Sequence, residues 1–282
     1  MQIINSVQQM QDISRGWNKN DKIGFVPTMG YFHRGHLSLV SEANKHCDKT
    51  IVSIFVNPSQ FGPNEDFISY PRDLQRDVSL LQEYKVDYVF HPSPEEMYPE
   101  NYKTWVNVEG ISSILCGASR PGHFKGVSTV VLKLVNIIKP QLMFMGEKDF
   151  QQITVLKTML KDLNLETKIF PCPIIREPDG LAMSSRNIYL SKEQRQQALC
   201  LNRAIKQAQE QFERGLLDTN ILKKNAEELI GQAGGQIDYI SFVEPISLQA
   251  VTQAQKDTRI LLAVYIGKTR LIDNAALGID SE

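Results

Sequence analysis

Pro27-Thr28-Met29-Gly30-Tyr31-Phe32-His33-Arg34-Gly35-His36 joins two glycines and two histidines within ten residues. The short apolar run Lys22 to Val26 precedes it, and Leu37, Leu39, Val40 and Ala43 follow at helical intervals. That pattern predicts a buried strand turning sharply through Gly30 into a helix. His33 and His36 are three residues apart, so they share one face at the opening of that helix. A helix start also offers backbone N–H groups and the positive end of the dipole, which suit a phosphate.

Thr50 to Val56 is rich in β-branched residues and reads as a second buried strand, ending in the loop Asn57 to Pro63. Leu74 to Leu81 is predicted helical and Val86 to Phe90 a third strand. A strongly apolar helix around Val127 to Ile138 stops at Pro140. Leu142 to Met145 is a fourth strand, Phe150 to Leu163 a helix, and Thr167 to Phe170 a further strand. Residues 2–19 read as a helix packed outside the first strand, with Ile3, Ile4, Val7, Met10 and Ile13 at helical spacing.

Alternating strands and helices argue for an α/β fold, a Rossmann-like doubly wound parallel sheet. Chemistry in such sheets gathers at the carboxyl ends of the strands. The suggestive loops fall there: His33 and His36, then Asn57 and Gln60, then Gly146-Glu147-Lys148-Asp149. Beyond Ile175 the pattern changes. Arg176 to Asn187 is loop-like, with a turn at Pro178-Asp179-Gly180. A long helix is expected over about 192–214, a second from Asp218 to near Gly234, and strands over 237–243 and 259–266, with an edge strand from Leu271. The expected division is a nucleotide- and substrate-binding domain, 1–175, and a second, smaller α+β domain, 176–282.

Composition narrows the class. A chain of 282 residues with net charge −1 offers no basic surface for nucleic acid. Cys47, Cys116, Cys172 and Cys200 are scattered without metal or disulfide spacing. No signal-peptide pattern and no membrane-length apolar run appear, so a soluble cytoplasmic protein with reduced thiols is expected.

Each candidate group has a plain alternative. The histidine pair could be one capping and one surface residue, although its place beside Gly30 and Gly35 favours a site. Lys148 could be a solvated helix start or a point charge for a phosphate. Arg120-Pro121-Gly122-His123 is equally a turn with a core contact or a ligand-binding turn. Met183-Ser184-Ser185-Arg186-Asn187 is a polar hinge or a clamp of donors for a polyphosphate. Gln60 and Gln152 suit hydrogen bonding to a small substrate.

Together these segments closely resemble the pantoate–β-alanine ligase family. The matching pieces are Pro27 to Gly30 with His33 to His36, Phe55 to Pro63, Glu65-Asp66, Tyr70-Pro71-Arg72, Arg120 to Phe124, Gly126-Val127, Gly146 to Gln152, and Arg176 to Asn187. The first motif is shared with nucleotidylyltransferases, which act on a phosphorylated acceptor and remain the alternative function. The resemblance implies attack of the (R)-pantoate carboxylate on the α-phosphorus of Mg²⁺-ATP, giving pantoyl adenylate, then attack by β-alanine to release AMP. It implies catalytic roles for His36, His33, Lys148, Ser184 and Arg186. It implies an ATP site of Met29, Gly30, Tyr31, Phe32, His33, Arg34, Gly35, His36, Gly146, Glu147, Lys148, Asp149, Ile175, Met183, Ser184, Ser185 and Arg186. Pantoate and β-alanine would meet Gln60 and Gln152, with Asn57, Arg120 and His123 alongside. It further implies a homodimer formed through the first domain, closure of the second, and no protein metal cage. Tyr31 and Phe32 are bulkier than the residues common in the family, Arg34 stands in place of a frequent acid, Asp73 in place of Thr, and Phe150 in place of Tyr.

Overall fold

The computed structural model describes residues 1–63 and 65–278. The last four residues of the expected 176–282 span therefore lie outside the described residues. Two compact units emerge: Met1–Glu147 with Gln152–Pro173, and Lys148–Gln151 with Ile174–Glu282.

In the first unit the strands are β1 (Gln2–Ile4), β2 (Ile23–Thr28), β3 (Lys49–Ile54), β4 (Tyr88–Phe90), β5 (Leu142–Gly146) and β6 (Lys168–Cys172). They form one sheet in the order β1-β4-β3-β2-β5-β6, every pair parallel. Its helices are α1 (Val7–Arg15), α2 (Arg34–His46), α3 (Leu74–Leu81), α4 (Pro94–Met97), α5 (Cys116–Ser119), α6 (His123–Ile138) and, from Gln152 onward, α7 (Phe150–Asp162). Ile23, Phe25 and Val26 are fully buried, as a strand covered on both faces requires. Burial of each such side chain contributes roughly 1.5–3 kcal/mol. Chain order reverses between β2 and β5, so their carboxyl ends flank the switch point of the sheet.

Local sequence explains the element ends. Asp73 caps α3 by accepting from the Arg76 amide at 3.0 Å. α6 carries a valine run that disfavours an isolated helix, but its residues from His123 to Ile138 are mostly buried, and packing overrides propensity. It ends on Lys139 in the left-handed region, before Pro140.

Residues 2–19 correct the expectation of a single helix. Ile4 is buried in β1 against β4, and α1 starts only after Ser6, whose side chain accepts from the Gln9 amide. A strand of three residues is too short to break the helical spacing of the apolar positions around it.

The second unit contains α8 (Lys192–Ala198), α9 (Cys200–Glu213), α10 (Thr219–Gln232) and the antiparallel strands β7 (Gln236–Val243), β8 (Arg259–Ile266) and β9 (Thr269–Ala276), in the order β7-β8-β9. Its core joins Ala204, Ile205 and Ala208 of α9 to Leu222 and Ile230 of α10 and to Ile260, Leu262 and Val264 of β8. The long helix expected over 192–214 is interrupted at Leu199, whose amide bonds to the Gln197 carbonyl. The apolar stripe runs through the break, so spacing alone could not reveal it. Among the described residues no helix is long and apolar enough to cross a membrane.

Candidate active site

In the first unit, β2 delivers its chain to the switch point. The Thr28 hydroxyl donates to the Ser53 carbonyl at 2.6 Å and accepts from the Gly30 amide, and Phe55 N–H donates to Thr28 O, so the ends of β2 and β3 are tied together. Gly30 (φ +84°) and Tyr31 (φ +53°) are both left-handed. A side chain at Gly30 would stand 2.9 Å from an oxygen of Asp77. Phe32 is buried, and His33 becomes the N-cap of α2.

The His33 Nδ1 accepts the Gly35 amide proton at 3.1 Å. Its neutral ring therefore carries its proton on Nε2. The His33 and His36 rings stack with centroids 4.0 Å apart and planes 24° apart. One amide of the helix start is thus taken by His33 itself. Arg34 is exposed, Met29, Gly35 and His36 are half-buried, and Tyr31 lies under the Arg76 guanidinium at 4.9 Å.

The loop after β3 surrounds Gln60. Asn57 is 1% exposed and its amide is committed within the fold. Its nitrogen donates to Gln60 Oε1 at 3.0 Å and to the Gly126 carbonyl at 3.2 Å. Its oxygen accepts from the Ser59 amide, the Ser59 hydroxyl and the Tyr98 hydroxyl. Burial pushes the Tyr98 phenol up to about 12, so it remains a donor. The Gln60 nitrogen donates to the Met29 sulfur at 3.2 Å. Asn57 and Met29 thus orient the Gln60 amide. α6 comes so close that a side chain at Gly126 would lie 2.2 Å from the Ser59 carbonyl oxygen.

Arg120 and His123 brace the same loop. The Gln60 carbonyl accepts from His123 Nδ1 at 2.8 Å, and Arg120 donates to His123 Nε2 at 3.1 Å. A carbonyl only accepts and a guanidinium only donates, so His123 carries its proton on Nδ1. Arg120 also forms a bidentate pair with Glu65 at 2.7 and 2.5 Å. Burial would raise the Glu65 carboxyl, but the hydrogen bonds and charge of Arg120 outweigh it and hold the group below its ordinary range. Gly146 ends β5, Glu147 follows half-buried, and Gln152 is half-buried on α7.

In the second unit, Lys148 has its ammonium 4.0 Å from Asp149, and its carbonyl accepts from the Asn274 amide of β9. Ile175 accepts from the Met183 amide at 2.9 Å, closing the hairpin whose tip is Pro178-Asp179-Gly180. Ser184 caps a 3-10 turn, Ser185–Tyr189, by accepting from the Arg186 amide at 3.3 Å, which leaves its own proton to be donated. Ser185 is buried and Arg186 half-buried. Arg176 is fixed by a bidentate pair with the buried Asp273.

Sequence reading missed Asp77, Arg76, Tyr98 and Asn274. Asp77 left a trace: a carboxylate at the spacing of Leu74 and Leu81, on the apolar stripe of a helix.

Fold and site define an α/β enzyme. The chain belongs to the pantoate–β-alanine ligase family, whose model matches residues 2–276. Pantothenate synthetase from Caldicellulosiruptor bescii is 53% identical over 276 residues, covering 97% of this chain and 98% of the relative. The crystal structure of pantothenate synthetase from Thermus thermophilus aligns with a TM-score of 0.94 at 41% identity, over 99% of this chain and all of that one (100%). That of pantoate-beta-alanine ligase from Francisella tularensis, complexed with beta-gamma ATP and beta-alanine, aligns at 0.81 and 41% identity, over 98% of both chains.

Proposed function

We propose that this chain joins (R)-pantoate to β-alanine at the expense of ATP, through pantoyl adenylate, releasing pyrophosphate and AMP. The observation that carries the site assignment is the stacked histidine pair opening α2 just beyond the carboxyl end of β2. Adenylation gathers negative charge on the α-phosphate and the departing pyrophosphate, where fixed donors are worth most. His36 acts there as proton donor and His33 as a second phosphate contact through Nε2. Lys148, Ser184 and Arg186 supply a point charge, a hydroxyl and a guanidinium to the polyphosphate. Gln60, with Gln152, holds pantoate, and Gln60 also borders the β-alanine position. Arg120 and His123 act on the substrates through the Gln60 loop.

Among the described residues no cluster of three His, Cys, Asp or Glu groups could hold a metal. Independently of that, this reading has Mg²⁺ arrive as an ion carried on the phosphates of ATP, where it would screen their charge, and no step is assigned to it. The same reading makes the enzyme a cytoplasmic homodimer joined through its first unit, which sedimentation of the pure protein would test.

Assay of AMP and pyrophosphate with each substrate omitted in turn tests the reaction. Pyrophosphate release is expected only with pantoate present, and AMP release only when β-alanine is added. Nucleotide transfer to a phosphorylated acceptor, indifferent to β-alanine, would instead indicate a nucleotidylyltransferase.

A further inference from the structure

Gly30 and Tyr31 are consecutive left-handed residues, and for a tyrosine that conformation costs roughly 1–2 kcal/mol. Something must hold the turn. Asp77 of α3, 46 residues away in sequence, accepts from the Tyr31 amide at 2.6 Å and from the Phe32 amide at 2.7 Å. Successive N–H groups in such a turn form a concavity that commonly receives an anion. Here the anion is the protein's own carboxylate, 1% exposed. Arg76, next to it, donates to the Phe32 carbonyl at 2.9 Å and approaches Asp77 at 3.4 Å while covering the Tyr31 ring. Neighbouring side chains of α3 thus grip both amides, a carbonyl and a ring of two consecutive residues. Immediately after them comes His33, and the Phe32 ring lies 5.7 Å from that of His36.

We propose that Asp77 is a positioning residue for the histidine pair: its carboxylate, seated on the amides of Tyr31 and Phe32, sets the backbone that fixes the ring orientation and tautomer of His33 and the stacking of His36. This rests on the reading that these rings serve adenylation. It also follows that the amides of Tyr31 and Phe32 are spent internally and are closed to a phosphate.

The test compares the wild-type full chain with Asp77→Asn. Asparagine keeps the shape but places an NH2 group against one of the two amides. Long-range nitrogen–proton NMR of the five histidine rings reads their tautomers without substrate. Asp77→Asn is expected to move His33 off its single Nε2–H form, and to lower kcat for pantoate-dependent pyrophosphate exchange by up to about a hundredfold while KM for pantoate stays close to wild type. A cooperatively folding Asp77→Asn protein with wild-type His33 resonances and wild-type kcat would overturn the proposal. If that variant does not fold, Arg76→Gln at a partly exposed site decides: a His33 ring moved off its single Nε2–H form supports it, an unchanged ring sinks it. Absence of pantoate-dependent exchange in the wild type would count against the functional reading alone, because the ring spectrum needs no reaction.

Discussion

The side-chain amide of Asn274 on β9 donates to the carbonyl oxygen of Lys148 at 3.0 Å, across 126 residues of sequence. Asn274 is 2% exposed and accepts from Arg259, whose guanidinium lies 3.9 Å over the Phe150 ring. The residues around Lys148 are therefore pinned to the small sheet from both backbone and ring. Asn274→Ala should raise KM for ATP and lower the adenylation rate, by up to about a hundredfold in kcat/KM, since a small misplacement of a donor is costly. Pyrophosphate exchange measures this, and an unchanged kcat/KM would detach Asn274 from Lys148.

His36→Ala should depress single-turnover adenylation roughly a hundredfold or more, as loss of a preorganised donor does. Its circular dichroism and melting should stay near wild type because the His36 ring is only half-buried. Near-normal adenylation would remove His36 from its role.

Gly126→Ala tests the approach of α6 to the Gln60 loop. The added carbon would meet the Ser59 carbonyl at 2.2 Å, so helix or loop must yield. Overpacking of this kind costs about 1–3 kcal/mol. Urea unfolding should show that loss, and KM for pantoate should rise as Gln60 shifts; a variant equal to wild type in both would mean the contact is soft.

Glu65 and Arg120 give a pH signature. The folded Glu65 carboxyl lies below its ordinary value of 4.5, so the pair adds stability above that value and loses it as pH falls through the folded one. With both side chains largely covered, the effect should be about 1 kcal/mol. Urea titrations from neutral to acid pH should show wild type losing more stability than Glu65→Gln, and parallel curves would dismiss the pair.

Sheet and site loops were legible because buried strands are continuous apolar runs and the polar loops follow them in order. β1 was not: Ile3 and Ile4 share the spacing of Val7 and Met10, and only the sheet distinguishes them. The break at Leu199 hid for a related reason, since Ala198, Leu201 and Ile205 keep one stripe across it. The bonds of Asn57 to Gly126 and Tyr98 join distant segments that local pattern does not connect. Asp77 and Asn274 act at long range, on backbone atoms, and backbone atoms leave no mark in a sequence.

Position 31 carries two demands that no single residue type meets. Glycine would relax a backbone at φ +53°, yet it would remove the ring beneath Arg76. Tyrosine keeps the ring and accepts the distortion. Drift toward glycine here should therefore yield a calmer loop with a looser neighbour, and chains that retain an aromatic at 31 should also retain the cation above it.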